Sequence, residues 1–247
     1  MPEHREIATG IHRAVDAFTN WYIVEDGGAL TVVDAGVPTS WSTLQSLLAN
    51  IGRSLRDVRA LVLTHAHFDH IGIAERLRQS AGIEVWLHEN DVPLSRHPTQ
   101  YGHERSPLRY LSNPAFRPVF AAFVRTRAFW PRSISRVRRF ADGDLLPVPG
   151  QPLVVAAPGH TLGQTMLWMP DRRAVITGDA VVTLDPYTGR TGPRIVAGGA
   201  TADSERALAS LDRLAGLDAD VLLPGHGDPW YGSPAQAARL AQDAGPA

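Results

Sequence analysis

The segment Thr64-His65-Ala66-His67-Phe68-Asp69-His70 puts four metal-ligand side chains within six residues. In a chain with ten histidines, a chance His-x-His-x-Asp-His is expected on the order of 0.001 times. Buried polar and charged groups need partners, so such a cluster calls for a cation to organise it. Imidazole and carboxylate are the ligands of zinc, and manganese and iron accept the same set. The cluster directly follows a strand-like run, Ala60–Thr64. Strand alternation would send His65 and His67 to one side. Asp69 and His70, past the strand in a tight turn, can face a second position.

Three further ligand-type residues stand at the ends of later apolar runs: Pro158-Gly159-His160-Thr161, Thr177-Gly178-Asp179-Ala180 and Pro224-Gly225-His226-Gly227. Each follows the same scheme of strand, glycine, then ligand. Glycine lets the backbone turn sharply and come close to a site. The other histidines, at 4, 12, 88, 97 and 103, have no such context and read as structural or surface residues.

The elements that would carry these loops alternate between strand and helix. Strands are expected at Trp21–Val24, Leu30–Asp34, Ala60–Thr64, Ile83–Leu87, Leu153–Ala157, Met166–Met169, Ala174–Thr177 and Asp220–Leu223. Helices are expected at Pro38–Ile51, Ile71–Ser80, Thr201–Leu214 (capped by Thr201 or Asp203) and Pro234–Gln242. Interleaving of this kind makes an α/β fold, read as a single domain over residues 1–247. Residues 93–140 break the rhythm. They hold ten arginines against one acid, Glu104, a balance of +9 that leaves −10 for the rest. Seven aromatic residues from Tyr101 to Trp130 and several prolines accompany them, so the segment reads as a helical insertion or lid. Its aromatics either pack it onto the body or shape the mouth of a site.

Composition narrows the chemistry. The 247 residues carry a formal charge of −1, and a near-neutral chain is no general nucleic-acid binder. Cysteine is absent, which excludes disulfides, thiol nucleophiles and iron–sulfur clusters. All 24 basic residues are arginine, so Schiff-base and P-loop lysines are excluded too. Exclusive use of arginine fits a GC-rich codon bias. The charged start, Met1 to Glu6, does not resemble a signal peptide, and a cytoplasmic location is expected. The uncharged stretch 145–170 is broken by five prolines and cannot span a membrane.

Taken together, these motifs resemble the metallo-β-lactamase superfamily in its dinuclear branch, closest in layout to lactonase-like members. The resemblance runs from Asn20-Trp21-Tyr22 and Val33-Asp34-Ala35-Gly36 to His226. It implies an αββα sandwich with two divalent metal ions, zinc before manganese or iron, at one edge. It implies that His65, His67 and His160 hold the first ion and Asp69, His70 and His226 the second, with Asp179 bridging. Asp34 would lie behind the site and orient a ligand loop. Two such cations lower the pKa of a water between them, and the hydroxide attacks a polarised carbonyl. Asp69 could also shuttle the proton, which makes Asp69 and Asp179 the candidate catalytic residues.

The expected function is hydrolysis of a lactone, ester or thioester in a small acyl substrate. A biosynthetic cyclisation or dehydration at the same site is the alternative, ahead of phosphodiester hydrolysis or metal binding without turnover. Many lactonases of this kind place a tyrosine three residues after the bridging aspartate, where this chain has Val182. Tyr187 could replace it only if the loop folded back, because Asp185-Pro186-Tyr187-Thr188-Gly189 reads as a surface turn. The arginines leave room for an anionic substrate, and the insertion could support a homodimer.

Overall fold

Alternating side chains split each strand between two packing partners, and that split generates the layers. A computed structural model describes residues 5–247. The first sheet runs in chain order: β1 (Arg5–Ala8), β2 (Ile11–Asp16), β3 (Thr19–Asp26), β4 (Ala29–Val33), β5 (Val58–Val62), β6 (Glu84–His88) and β7 (Arg138–Phe140). Its first four strands are antiparallel, and from β4 to β7 the pairing is parallel. The chain then lays down β8 (Leu153–Ala156), β9 (Thr165–Met169) and β10 (Ala174–Gly178), forms a ribbon of β11 (Val182–Leu184) and β12 (Thr191–Arg194), and returns through β13 (Val221–Pro224) and β14 (Trp230–Tyr231). The second sheet has the order β14-β13-β10-β9-β8.

On β3, Tyr22 and Val24 point inward to meet Leu167, Ile176 and Leu223 of the second sheet. Their neighbours Trp21 and Ile23 point outward, onto helices α1 (Ser40–Asn50) and α2 (Ala74–Ala81). On the far side, Val155, Met166, Val175 and Leu222 are covered by two later helices. The result is a helix–sheet–sheet–helix sandwich, the α/β arrangement expected. Between its halves lie α3 (Val92–Arg96), a 3-10 turn at Pro107–Ser112 and α4 (Phe116–Arg125), all within residues 92–125. The covering helices are α5 (Ser204–Ala215) and α6 (Pro234–Ala244). Asp203 caps α5 by accepting the Arg206 N–H at 2.9 Å.

Several boundaries differ from the sequence reading for visible reasons. The helix expected from Ile71 starts at Ala74. Residues 70–73 are instead bonded to Ala35 and Gly36, with Gly72 N–H to Gly36 O at 2.7 Å. Strands β1 and β2 were not anticipated, because buried His12 and half-buried Arg13 break the apolar alternation of β2. The stretch Asp185–Gly189 is no surface turn: Asp185, Pro186 and Tyr187 are buried. Among the described residues no helix is long and apolar enough to cross a membrane. His4 and the first residues of the N-terminal reading lie outside the described residues.

Candidate metal centre

All seven ligand-type residues come together at one edge of the sandwich. Their ligand atoms form three overlapping groups: His65, His67 and His160; His65, His70 and Asp179; and Asp69, His70 and His226. Within each group these atoms lie no more than 4.8 Å apart, and every residue is buried. Asp179 touches both outer groups. Its Oδ2 is 3.3 Å from Nε2 of His160 and 3.3 Å from Nε2 of His226, and its Oδ1 is 3.5 Å from Nε2 of His70.

Strand alternation is not what aims the histidines, because β5 ends at Val62 and residues 64–67 are loop. Hydrogen bonds aim them instead. Asp34 accepts the Thr64 N–H at 2.8 Å and the His70 Nδ1–H at 3.0 Å. His65 Nδ1 donates to the Thr64 hydroxyl at 3.1 Å, and His160 Nδ1 to the Thr201 hydroxyl at 3.3 Å. His226 Nδ1 donates to Phe18 O at 2.7 Å. Four of the five imidazoles thus have Nδ1 engaged, which frees Nε2 for the centre.

Two glycines let the loops close up. A Cβ on Gly225 would fall 2.0 Å from Asp179 Oδ1, and one on Gly159 would fall 2.2 Å from the backbone nitrogen of Ala207. The strand–glycine–ligand scheme therefore has a steric cause. A third device is the β2–β3 turn, where Ala17 and Phe18 both have positive φ, 50° and 67°. Hairpin turns of that twist normally take Asn-Gly, and here the turn presents Phe18 O to His226.

The residues fit cations. Nε2 of His65, His67, His70 and His160 and Oδ1 of Asp179 are buried without a hydrogen-bond partner. Orphaned polar atoms of this kind are costly in a folded interior, and these five, gathered into two overlapping groups, need shared ligands. Burial holds His65 and His160 well below the ordinary imidazole range and His67 at about 4, so all three are neutral with lone pairs available. Burial opposes charge at His70 as well, yet the carboxylates of Asp179, Asp69 and Asp34 outweigh it and raise this histidine to about 10. The same field that draws a proton to His70 would draw a divalent cation.

Some contributors escaped the sequence reading. Asp91 accepts the Ala66 N–H at 3.0 Å, the Thr161 hydroxyl at 2.8 Å and the Gly163 N–H at 2.7 Å, tying the loop of His65 to the loop of His160. It follows β6 as the ligands follow their strands, but without a glycine to mark it. Thr19 donates to Asp69 Oδ2 at 3.0 Å. Tyr101, between α3 and the 3-10 turn, lays its ring 4.6 Å from that of His67. Tyr187 turns inward, stacks on Phe116 at 4.8 Å and brings its hydroxyl beside that of Tyr101. Of the spare histidines, His12 and His88 are buried in the body, while His97 and His103 are exposed.

The family profile of the metallo-beta-lactamase superfamily matches residues 14–226. Over 244 residues the chain is 28% identical to the probable metallo-hydrolase YflN of Bacillus subtilis (strain 168), a match covering 92% of this chain and 87% of that protein. The solved structure of the metallo-beta-lactamase family protein TTHA1429 from Thermus thermophilus is similar with a TM-score of 0.67 at 25% identity, over 92% of this chain and 74% of that one. TTHA1623 in a di-iron-bound form is similar with a TM-score of 0.61 at 25% identity, over 98% of each chain.

Proposed function

Because the chain belongs to the metallo-β-lactamase superfamily, we propose that it is a dinuclear metal-dependent hydrolase acting on a lactone, ester or thioester carbonyl. The observation that carries this reading is the set of five buried ligand atoms without a hydrogen-bond partner, drawn from three separate loops and gathered into two overlapping groups. His65, His67 and His160 would hold one cation and Asp69, His70 and His226 the other, with Asp179 reaching both. When bound, the two ions would supply an activated water and polarise the carbonyl.

The chain's own residues do the rest. Asp34, Thr201 and the Phe18 carbonyl hold the imidazoles in one tautomer. Asp69 has one oxygen engaged by Thr19, and it is the carboxylate that would take the proton of the attacking water and return it to the leaving group. No cysteine is available for a covalent route. Zinc is the expected metal, and the di-iron-bound relative keeps iron in view.

The test is metal analysis together with acid release by pH-stat, over a panel of γ-lactones, alkyl esters and an acyl thioester. Two metals per chain and metal-dependent release, both lost in His160→Ala, are the expected result. Two bound metals with no acid release across the panel would overturn the hydrolase reading.

A further inference from the structure

A cavity of about 440 Å³ opens beside the centre and shares His160 with it. That is within the span of small-molecule sites, ~300–1,000 Å³. Its walls include Leu94, Tyr101, Leu162 and Ala202. Tyr101 is the ring that lies against His67, so the cavity adjoins two of the ligand imidazoles. Leu162 is 58% exposed at its rim, an apolar side chain two residues from His160 with little of its surface covered.

The charge pattern of this cavity is informative. None of the ten arginines of residues 93–140 lines it. Arg136 and Arg138 line a different cleft with Arg78, and Arg138 pairs with Glu84. The one acid in the wall, Asp91, has both oxygens occupied, Oδ1 by Gly163 and Oδ2 by Ala66 and Thr161. Asn90, Gln100 and the hydroxyls of Tyr101 and Thr161 supply the remaining non-imidazole polarity, and Thr161 spends its proton on Asp91. Apart from the imidazoles of His97 and His160, the walls therefore hold no arginine or lysine for a phosphate or carboxylate and no free carboxylate for an ammonium group. Burying an unpaired charge there would be costly, whereas apolar surface would be gained.

We propose that this cavity receives an uncharged apolar arm of the substrate, a straight alkyl chain or its equivalent, and excludes anionic arms. The inference rests on the hydrolase reading of the adjoining centre. It replaces the room for an anionic substrate that the arginine content suggested with a definite class. The arm can belong to the acyl or the alkoxyl side of the ester.

The experiment compares ethyl acetate, ethyl octanoate, octyl acetate and monoethyl suberate, whose acyl chain ends in a carboxylate, on the zinc-loaded protein and on Leu162→Arg. Each fully buried methylene is worth up to about fourfold in kcat/KM, from ~0.8 kcal/mol. An eight-carbon ester adds six methylenes, and with about half of them buried in an open cavity it is expected to exceed ethyl acetate by on the order of a hundredfold, and monoethyl suberate to lose that gain. Which octyl ester gains identifies the arm. In Leu162→Arg the octyl-to-acetate ratio is expected to fall at least tenfold, and the change lies on the surface, away from the core. Binding of octanamide followed by NMR at the leucine methyls gives a readout without turnover. Octanamide binding with no ester hydrolysis would keep the cavity assignment and sink the hydrolase. Hydrolysis that ignores chain length, with no octanamide shifts at Leu94 or Leu162, would overturn the cavity assignment alone.

Discussion

Oδ2 of Asp34 stands 3.0 Å from Nδ1 of His70, and the other oxygen of the same carboxylate accepts the backbone N–H of Thr64 at 2.8 Å. One buried side chain thereby fixes the loop that begins at Thr64 and the ring that ends it. Asp34 holds a positive φ of 58°, an uncommon conformation for a residue with a side chain, which the surrounding bonds sustain. Asp34→Ala is expected to weaken metal binding about 10- to 100-fold, the usual cost of losing a partner behind a metal ligand. Competition against a chromophoric chelator measures it; an unchanged affinity would remove Asp34 from the metal site.

Metal should act as a stabiliser of the fold, because it satisfies atoms that are otherwise buried and orphaned. Each tenfold of free metal above Kd adds about 1.4 kcal/mol, or roughly 3–5 °C in Tm for a chain of this size. Zinc titration of the chelated protein in a thermal melt is expected to show that rise, and His160→Ala or Asp179→Ala to blunt it. Flat melting curves in the intact protein would contradict the assignment. His103→Ala, an exposed change, should leave metal content as it was.

Asp91 lies outside the ligand set but connects its two halves. Removing its carboxylate leaves the N–H groups of Ala66 and Gly163 without acceptors. An unsatisfied buried donor costs about 1–3 kcal/mol, so Asp91→Ala is expected to lower the denaturation midpoint clearly. It should also lower kcat more than metal content, since both ligand loops loosen while every ligand remains. A variant as stable and as active as the parent would show the strut to be dispensable.

Acid sensitivity should have an identifiable source in Glu75. It accepts from Arg78 and Gln79 on its own helix and from both the backbone and the hydroxyl of Ser135. Chiefly through Arg78, its carboxyl is held down from 4.5 to about 2. A carboxyl depressed in the folded state contributes its full stabilisation above the unfolded value, near 4.5, and loses it as pH falls toward 2. Urea midpoints at pH 6 and pH 3 are expected to differ less in Glu75→Gln than in the parent. An equal drop in both proteins would assign acid lability elsewhere.

The residues that converge on the candidate metal centre were legible because each one follows an apolar run with a chemical signature of its own. His160, Asp179 and His226 sit behind glycines that steric contact demands, and the His65–His70 cluster is too dense for chance. Their supports were not legible, for a physical reason. Asp91, Thr19 and Thr201 are ordinary polar residues whose roles arise only from tertiary proximity, and Phe18 contributes through its carbonyl, which any residue has. The α/β class followed from the interleaving of strands and helices and the layers only from the family resemblance, while β1, β2 and the β11–β12 ribbon lack the apolar contrast that periodicity needs. The inward turn of Tyr187 depends on the aromatic cluster around Phe116, which no local pattern announces.

The spacing of the candidate ligands also has a consequence in time. His65 and His226 are separated by more than half the chain, and Phe18, which orients His226, lies still earlier. Contacts of such long range form late, after the loop-closure entropy has been met by the packing of the two sheets. The complete centre is thus a product of folding and not its template. A growing chain still lacking β13 would present the His65–His70 cluster without His226, and would release a captured ion more readily than the finished protein.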